Sequence, residues 1–385
     1  MNNKYNILLV HNFYKQKGGE DTVFNNEKQM LIDNGHNVVE YTRNNNEIKN
    51  FNIFKKIMLP FTTIFSFKTY RNIKKIIRKE NIDIVHIHNT LNLISPSIYY
   101  VSKKMNVPVV QTVHNFRLLC PNGLFYRSGS ICEDCPNKGL KCAIKYNCYR
   151  DSKLQSIINV LMLKIHRFTG IYKYVNFIFL TEFNKNKFIE YNRKLNIFDE
   201  NKFYVKPNFI DDSIEIPNVK KVDNQFIFVG RLDESKGIKD IIQIWDKVND
   251  KKLVVCGTGP LEEELKKYVK DNNLNVEFKG FLEKKEVFKN IAKSQALIMN
   301  SKWYEGFPMT ILEALSVNTQ IITKNIGNCG SIINNKNGYK FNNSKELINI
   351  INNFDLKDIK YNKFYDKKNN YELLIDIYRD VKKVN

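Results

Sequence analysis

Two glutamates eight residues apart are the side chains of this sequence best suited to bind a hydroxyl-rich ligand. They begin and end the stretch 305–313 (EGFPMTILE), which follows a predicted strand over 296–300 and leads into a predicted helix over 308–317. The spacing places Glu305 on the loop and Glu313 about one and a half turns inside the helix, among apolar neighbours. Such carboxylates can accept hydrogen bonds from the hydroxyls of a sugar and a ribose. A helix whose glutamates merely favour its N-terminal half is the alternative, but it leaves Glu313 unexplained.

The backbone between the two glutamates favours a bound anion. Gly306 has no side chain, so a ligand can press against the loop, and Pro308 suits the first helical turn. Amide groups at a helix N-terminus have no partner inside the helix, and the helix dipole favours negative charge there. The amides expected to face the ligand are those of Phe307, Met309 and Thr310.

Two basic residues five positions apart could hold a diphosphate. Arg231 follows a predicted strand over 225–230, and Lys236 opens the helix that comes next. Arginine binds phosphate through its planar fork, and lysine binds it as a point charge. Two exposed cations among 61 lysines and arginines are the plainer interpretation. The position at the end of a strand favours a binding role.

A pair of glycines, Gly18 and Gly19, lies between the first predicted strand, 6–10, and a predicted helix over 22–33. Backbone amides at a helix start attract phosphate, and glycine permits close approach. The loop lacks the G-x-G-x-x-G spacing of a dinucleotide site. It therefore predicts a phosphate contact without indicating that class of cofactor.

Five of the seven cysteines lie between residues 120 and 148. Four of them form the pattern C-x11-C-x2-C-x12-C, namely Cys120, Cys132, Cys135 and Cys148, and Cys142 is a fifth thiol inside it. A Cys-x2-Cys pair with two further thiols can make a tetrahedral, structural zinc site. A set of small buried residues is the alternative, and the sequence leaves both open.

The elements that must position these residues alternate between strand and helix twice along the chain. In the first half the predicted strands are 6–10, 37–41, 82–88, 107–114 and 178–180, the last being expected to end the sheet. In the second half they are 225–230, 253–256, 276–278, 296–300 and 320–323, which is expected to complete the series. Near-continuous apolar strands between helices predict α/β domains with doubly wound parallel sheets. Two such domains are expected to bind a ligand in a cleft between them.

The length of 385 residues is too great for one core and predicts two domains. We expect a first domain over 1–209 with a cysteine-rich insertion at 120–150, and a second over 210–366. A C-terminal helix over 367–385 is expected to cross back to the first domain. Neither a transmembrane run nor a secretory signal is recognisable, so a cytoplasmic protein is expected. Disulfides are accordingly not expected.

The net charge of +21 is concentrated in the first half of the chain. Residues 1–200 hold 30 basic and 15 acidic residues, against 31 and 25 in the remainder. Segment 51–79 combines large apolar residues with eight basic residues and no acidic one. This mixture suits an anionic membrane surface, although an ordinary helix with a basic exposed face is equally compatible. Nucleic acid is not an expected partner, because no binding motif accompanies the charge.

Together, these motifs resemble the retaining glycosyltransferases of family 4, which have the GT-B fold of two Rossmann-like domains. The stretch 305–313 is similar to the E-x7-E motif of that family, and the other matches follow in the family's order over nearly the whole chain. These matches are Gly18-Gly19, Gly230-Arg231-Leu232, Lys236-Gly237 and Cys256-Gly257-Thr258-Gly259-Pro260. The cysteine segment resembles an insertion of some bacterial polysaccharide glycosyltransferases in this family, beside the acceptor region.

The resemblance implies a role for each residue of the donor site. Glu305 would contact hydroxyls of the donor sugar, and Glu313 would bind the ribose. Arg231 and Lys236 would neutralise the diphosphate leaving group, and the loop 280–282 would hold the base. The implied donor site comprises Gly18, Gly19, Arg231, Lys236, Phe281, Leu282, Glu305, Gly306, Phe307, Met309, Thr310 and Glu313.

The histidines are expected on the acceptor side. His114 ends a predicted strand where the family places a histidine near the donor sugar, which implies a role in positioning sugar and acceptor. His88 and Asn89 end the preceding strand and could line the acceptor side, whereas His86 is expected to pack in the core. The residues implied in catalysis are His114, Glu305, Arg231 and Lys236.

The predicted function is therefore transfer of a sugar, with retention, from a nucleoside diphosphate donor to a saccharide acceptor that could be lipid-linked, in surface-polysaccharide assembly. Preorganised cations and amides would stabilise the departing diphosphate, and catalysis would require no cofactor or metal. Alternatives are a GT-B epimerase or phosphorylase, although no pyridoxal phosphate lysine is identifiable. A non-catalytic nucleotide-sugar-binding or scaffold protein is the alternative outside enzymes.

Overall fold

Residues 4–15, 18–210, 219–357, 359 and 365–384 are described by a computed structural model of the protein. The chain divides into two units. The first comprises Met1–Leu124, Glu133–Asn208 and Lys367–Asn385, and the second comprises Phe125–Cys132 and Phe209–Asp366. Among the described residues, no helix combines the length and the apolar character needed to span a bilayer.

The strands, in chain order, are β1 (Asn6–Phe13), β2 (Asn37–Asn44), β3 (Ile84–Ile87), β4 (Val109–Val113), β5 (Tyr126–Arg127), β6 (Ser130–Ile131), β7 (Asn176–Phe179), β8 (Phe203–Val205), β9 (Gln225–Val229), β10 (Lys252–Cys256), β11 (Val276–Gly280), β12 (Ala296–Met299), β13 (Gln320–Lys324) and β14 (Gly338–Phe341).

The α-helices are α1 (Gly19–Asp33), α2 (Ile53–Ile64), α3 (Phe67–Lys79), α4 (Ser97–Lys104), α5 (Asp134–Lys138), α6 (Lys141–Lys145), α7 (Lys153–Phe168), α8 (Glu182–Leu195), α9 (Ile238–Gln243), α10 (Glu262–Asp271), α11 (Lys284–Lys293), α12 (Met309–Ser316), α13 (Gly327–Ile332), α14 (Ser344–Asn352) and α15 (Lys367–Val384).

The first unit is built on a parallel sheet with the strand order β2-β1-β3-β4-β7-β8. Every residue of β3 and β7 is buried, as expected for strands covered by helices on both faces. The expectation that the strand at 178–180 ends this sheet is wrong, because β8 pairs with β7 in parallel. With only three residues, β8 is too short to stand out as a separate apolar run.

The second unit contains a parallel sheet with the strand order β11-β10-β9-β12-β13-β14. Alternate residues of β9 enter different cores, since Phe226 and Phe228 pack in one apolar cluster and Ile227 packs in another. The strand period of two therefore supplies a hydrophobic core to each face of the sheet. The short antiparallel hairpin of β5 and β6 groups with this unit, whereas α15 groups with the first.

The second sheet continues beyond the predicted last strand at 320–323. Helix α13 leads into β14, which pairs with β13, and α14 follows. The helix predicted after Lys236 is short, because α9 ends at Gln243 and is followed by a 3-10 turn, Trp245–Lys247. The polar sequence around β14 (NKNGYKFNNS) hides a four-residue strand among turn-forming residues.

Candidate active site

The second unit carries Arg231, Lys236 and Glu305 on loops at the carboxyl ends of two neighbouring strands. Arg231 and Lys236 follow β9, and Glu305 follows β12, which pairs with β9 in the centre of the sheet. The order of the strands reverses direction between β9 and β12. Doubly wound sheets bind their ligands at this kind of switch point.

Lys236 and Glu305 form a close ion pair. Nζ of Lys236 lies 2.6 Å from Oε1 of Glu305, and the hydroxyl of Ser301 donates to the same oxygen at 2.6 Å. Although burial opposes the charge on the lysine, the carboxylate of Glu305 outweighs it and raises the pKa of Lys236. The loops thus hold one full positive and one full negative charge in a partly desolvated place.

The two loops are locked together through their backbones. Gly237 has a φ of 66°, and a Cβ there would lie only 2.2 Å from the carbonyl oxygen of Asn300. The side-chain amide of Asn300 donates to the carbonyl of Gly237 at 3.0 Å. Glycine is required at this position, because only its small size and positive φ allow the approach that sets Lys236 against Glu305.

Asn328 holds the loop of Glu305 in place through hydrogen bonds to its backbone, and the sequence analysis did not predict this role. Its side-chain amide donates to the carbonyls of Glu305 and Gly306, each at 2.5 Å. The residue is fully buried in α13. An asparagine in the polar run 325–330 carries no spacing signal, so only the fold reveals it.

Arg231 remains mostly in solvent, with 57% of its side chain exposed, and its Nε lies 3.4 Å from a carboxylate oxygen of Asp233. The carboxylate of Asp233 also accepts hydrogen bonds from the backbone amides of Ser235 and Lys236. The guanidinium therefore keeps donors available for an anion beside the strand end.

Helix α12 begins at Met309, with Pro308 as its N-cap at a φ of −65°. Met309 and Thr310 supply the first two amides, which lack an acceptor inside the helix. Glu313 is the fifth residue, and burial, opposed by Lys284, raises the pKa of its carboxyl group. Within the described parts of the chain, this carboxyl group has no hydrogen bond or ion pair, which suits a group that binds a ligand.

Phe281 and Leu282, the two residues predicted to contact the base, differ in exposure in the loop after β11. Phe281 is 80% exposed, whereas Leu282 packs against an apolar core cluster of the second unit. Leu282 therefore anchors the loop, and the exposed ring of Phe281 is the part that can contact a flat ligand such as a base.

In the first unit, His88 and His114 belong to a buried chain of hydrogen bonds that ends at Glu27. Nε2 of His88 lies 3.1 Å from Glu27, and its Nδ1 lies 3.0 Å from Nε2 of His114. A carboxylate only accepts, so His88 donates from Nε2 to Glu27. Burial and the neighbouring His88 hold the pKa of His114 well below its usual range. His114 is therefore neutral.

Glu27 is the centre of this network and was not identified from the sequence. Its carboxylate meets Nδ1 of His86 at 3.1 Å and Nζ of Lys206 at 2.8 Å. His86 is packed as expected, and burial lowers its pKa to about 3. Glu27, His86 and His88 have the donor types of a metal site, but the buried ammonium of Lys206 supplies the positive charge that a cation would bring.

The predicted phosphate loop is described from Gly18 onward, and Lys17 lies outside the described residues. Gly18 caps α1, with its amide donating to Asp21 at 3.1 Å, and Gly19 is the first residue of the helix. Asp21 in turn lies 2.7 Å from Nε2 of the buried His11. A Cβ on Gly18 would meet none of the described residues within 4 Å, so none of them requires glycine there.

Asn89 forms hydrogen bonds with the backbone of the neighbouring strand β1. Its side-chain amide donates to the carbonyl of Asn12 at 2.8 Å, and its own carbonyl accepts from the amide of Asn12 at 3.0 Å. This pair ties the carboxyl ends of β1 and β3 together. Asn89 thus positions its neighbour His88, and both side chains are buried.

A carboxyl group that the sequence did not single out lies at the start of α1. Burial, opposed by Arg117, raises the pKa of Glu20 to about 8. The hydroxyl of Tyr14 donates to Glu20 at 3.4 Å. A carboxyl group that titrates near neutral pH can accept or release a proton under working conditions, which makes Glu20 a candidate functional residue.

The family comparisons agree with this arrangement. The model described as "Glycosyl transferases group 1" matches residues 209–377, and the model described as "Glycosyltransferase Family 4" matches residues 17–213. The chain is 25% identical over 350 residues to an "Uncharacterized 42.6 kDa protein in cps region" of Klebsiella pneumoniae, covering 84% of this chain and 86% of that protein.

Two solved structures share the fold over nearly the whole chain. The apo form of the lipopolysaccharide outer core galactosyltransferase WaaB has a TM-score of 0.63 at 15% identity, covering 97% of this chain and 98% of that one. Anabaena Alr3699/HepE in complex with UDP and glucose has a TM-score of 0.59 at 14% identity, covering 99% of each chain. Both sheets of this chain thus have the parallel α/β architecture of GT-B enzymes. Because the family 4 model spans just over half of its residues, the chain belongs to glycosyltransferase family 4 and is a transferase of class EC 2.4.

Proposed function

We propose that this glycosyltransferase moves a sugar from a nucleoside diphosphate donor to a saccharide acceptor with retention of configuration, in the assembly of a surface polysaccharide. The observation that carries the proposal is the ion pair of Lys236 and Glu305 at the switch point of the second sheet, beside the N-terminus of α12. The similarity to HepE, crystallised with UDP and glucose, supports a nucleotide-sugar donor. The similarity to a protein of the cps region supports the polysaccharide context.

Each group near the ion pair has a chemical task in this proposal. The diphosphate lies against Arg231 and Lys236, and the first amides of α12 add dipole and hydrogen bonds. Glu305 accepts from sugar hydroxyls, and the uncommitted carboxyl group of Glu313 accepts from the ribose. The exposed ring of Phe281 stacks beside the base.

The charges account for the chemistry of the step. When the bond between the anomeric carbon and the diphosphate breaks, negative charge grows on the phosphate oxygens, and the preorganised cations stabilise it. The acceptor hydroxyl attacks from the face that the diphosphate leaves, so the configuration is retained without a protein nucleophile. The departing diphosphate takes up the hydroxyl proton. Neutral His114 positions sugar and acceptor.

The assigned donor site can be tested by comparing two ion pairs of the second unit, one at the site and one away from it. Lys236→Met and Glu305→Gln should each lower transfer at least a hundredfold, since one electrostatic partner of a developing charge is commonly worth about 10²–10³ in kcat. Lys239 and Glu264 form an exposed ion pair at 2.6 Å in the same unit, and Lys239→Met and Glu264→Gln should leave transfer unchanged. Near-native turnover in Glu305→Gln would show that the donor site has been misplaced.

The finer parts of the proposal need product analysis. We expect nucleoside diphosphate release from a panel of nucleotide sugars to depend on an added saccharide acceptor, with proton NMR of the product showing the anomeric configuration of the donor. Inversion would overturn the retaining mechanism. An isomerised free donor without a new linkage would indicate an epimerase instead.

We also propose that the first unit binds an anionic membrane surface, where a lipid-linked acceptor would be presented. Helix α2 exposes large apolar side chains, with Ile53 at 78%, Phe54 at 70% and Phe61 at 64%. Helix α7, which packs against α2, exposes Phe168 at 94%. Helix α2 contributes two basic residues and α3 contributes six, and neither helix contains an acidic one. Exposed apolar groups flanked by cations are typical of helices that lie in a charged lipid interface.

A further inference from the structure

Trp303 lies on the loop between β12 and α12, two residues before Glu305. Nζ of Lys236 lies over its indole ring, 5.3 Å from the ring centroid. An ammonium group within about 6 Å of an aromatic centroid is attracted by the negative face of the ring, and indole attracts it most strongly. The same Nζ atom forms the 2.6 Å ion pair with Glu305. The ammonium is therefore held on two sides, by a ring face and by a carboxylate.

Hydrogen bonds beside this contact join the loop of Trp303 to the loop of Lys236 within the second unit. The backbone amide of Lys302, the residue before Trp303, donates at 2.8 Å to the carbonyl of Ser235, the residue before Lys236. The ammonium of Lys302 also pairs with Asp240 on α9 at 2.9 Å. Because these bonds connect the immediate neighbours of the two residues, the backbone itself sets the indole ring against the ammonium.

The two tryptophans of the chain differ in how the fold treats the indole N–H group. The ring of Trp245 packs in an apolar core cluster of the second unit, and its Nε1 donates to the carbonyl of Lys251 at 3.3 Å. Nε1 of Trp303 is also buried, yet no described residue accepts a hydrogen bond from it. A buried N–H group without an acceptor costs stability. Packing alone therefore does not explain a tryptophan at position 303, whereas the contact of its ring with Lys236 does.

An aromatic face suits this position because it holds a cation without neutralising it. The carboxylate of Glu305 already balances the charge of Lys236, and a second carboxylate in place of the indole ring would repel an anionic ligand. An ammonium group has three N–H donors, and the ion pair with Glu305 uses one of them. The side chain of Lys236 is 29% exposed, so an anion can still reach the ammonium.

We propose that Trp303 is a positioning residue of the donor site, whose indole ring holds the ammonium of Lys236 where it contacts the donor diphosphate while still paired with Glu305. The inference rests on the proposed function, which assigns the diphosphate to Lys236. Trp303 acts through Lys236 and needs no bond to the substrate. Without the ring, Lys236 keeps its charge and its partner but can turn away from the leaving group, so the charge that develops there is stabilised less.

Substitutions at both tryptophans separate positioning from packing. Trp303→Leu removes the aromatic face and should lower kcat about tenfold, the fold-change that a partly desolvated cation–π contact supplies. Trp303→Phe keeps a weaker aromatic face and should lose clearly less. Trp245→Phe, in the core of the same unit, should lower Tm and leave kcat unchanged. Equal kcat in the wild type and Trp303→Leu, with Lys236→Met inactive, would overturn the role of Trp303 and leave the proposed donor site intact.

Intrinsic fluorescence reports on the contact itself and needs only the conservative variants, so it decides the matter even where Trp303→Leu does not fold. Titration with UDP, ADP and GDP should change the emission of the wild type and of Trp245→Phe, saturably and with at least one of the three, because an anion at Lys236 alters the field at the indole ring. The change should be absent in Trp303→Phe, although calorimetry still shows the nucleotide binding.

Two fluorescence results would overturn the assignment of Trp303 while the donor site stands. One is a change in emission that persists in Trp303→Phe and is lost in Trp245→Phe. The other is calorimetric binding of a nucleotide that leaves the emission of the wild type unchanged. Absence of both binding and transfer with every nucleotide would instead overturn the proposed function, and the assignment of Trp303 with it.

Discussion

Glu27 and Lys206 form an ion pair at 2.8 Å with side chains that are at most 1% exposed. Although burial opposes ionisation, Lys206 and the neighbouring imidazoles hold the pKa of Glu27 well below its usual range. The carboxylate therefore keeps its charge and directs the hydrogen bonds of His88. Through His88 it is also linked to His114 by a chain of hydrogen bonds.

Glu27→Gln should destabilise the protein by about 3–5 kcal/mol, because it leaves the buried ammonium of Lys206 without its counter-charge. The double variant Glu27→Gln/Lys206→Met should recover much of that loss, since it removes both charges. Urea unfolding of the two single variants and the double variant measures the coupling. Additive losses in the double variant would show that the two residues do not stabilise one another.

Glu20 gives the stability of the protein a pH dependence of its own. In the folded protein the pKa of Glu20 is raised to about 8 from 4.5, so folding favours the protonated carboxyl group. The stability that this group contributes is therefore fully present below pH 4.5 and is lost as the pH rises through 8. Glu20→Gln mimics the protonated carboxyl group and should lose less stability than the wild type between these values. Unfolding curves at intervals of pH, with the exposed Glu263→Gln as control, should show the difference. Parallel curves for wild type and Glu20→Gln would contradict the raised pKa.

Spacing singled out the residues that we propose to bind the donor, but not those that support them. Glu305, Arg231 and Lys236 lie in loops that follow predicted strands, and Glu313 lies in the helix after one of them, so their positions can be read from the apolar runs of the sequence. Glu27, by contrast, is one of several polar residues in a helix with little amphipathic character (GEDTVFNNEKQMLID). Its partners lie 59 or more residues away in the sequence, and no local pattern encodes such contacts.

At the scale of elements, glycines set how closely the loops of the second sheet approach. A Cβ at Gly257 would lie 1.9 Å from the carbonyl oxygen of Gly230, and one at Gly259 would lie 2.4 Å from that of Leu232. The loop after β10 thus packs backbone to backbone against the loop that carries Arg231. By contrast, no described residue would contact a Cβ at Gly18.

Gly259→Ala should destabilise the protein by about 1–3 kcal/mol, as overpacking of a tight contact does. Gly18→Ala should leave Tm unchanged, because the extended backbone of Gly18 accepts a side chain and no described residue lies within 4 Å of the added Cβ. If the donor phosphate lies on this loop, Gly18→Ala should nevertheless raise the KM for the nucleotide sugar. Calorimetry and initial rates on both variants give the comparison. A fall in Tm for Gly18→Ala would reveal a packing role that the structure does not contain.

Strands that lie in a continuous apolar run were predictable, whereas β8 and β14 were not. The buried runs at β1, β9 and β12 stand out because both faces of each strand need apolar residues. β8 and β14 have only three and four residues, and they gain order by pairing with a strand already in place. The sequence around them favours turns, so tertiary pairing overrides local preference.

At the scale of the whole molecule, the excess positive charge of the first 200 residues is the property that distinguishes the two halves. The apolar side chains of α2 lie beside eight basic residues in the segment 51–79. In the proposed binding, charge would draw this surface toward anionic lipid, and burial of the apolar side chains would hold it there. Affinity should therefore require both kinds of residue.

Vesicle sedimentation tests the membrane surface. The protein should bind vesicles containing phosphatidylglycerol and not pure phosphatidylcholine, with binding weakened by salt. Neutralising Lys55, Lys56, Lys74 and Lys75, or replacing Phe54 and Phe61 with serine, should release it. Ile32→Ser, which removes an exposed apolar side chain on α1, should not. Unchanged binding in both sets of variants would exclude this surface.

Helix α15 has a consequence for how the protein folds during synthesis. Its Tyr378 lies 2.6 Å from His86, and its Asn370 accepts from Lys206 at 2.8 Å. The buried network of the first unit is therefore completed by residues that the ribosome translates after the whole second unit. The first unit therefore begins to be synthesised first but can complete its buried network only after α15 has been translated. The second sheet can assemble before that point.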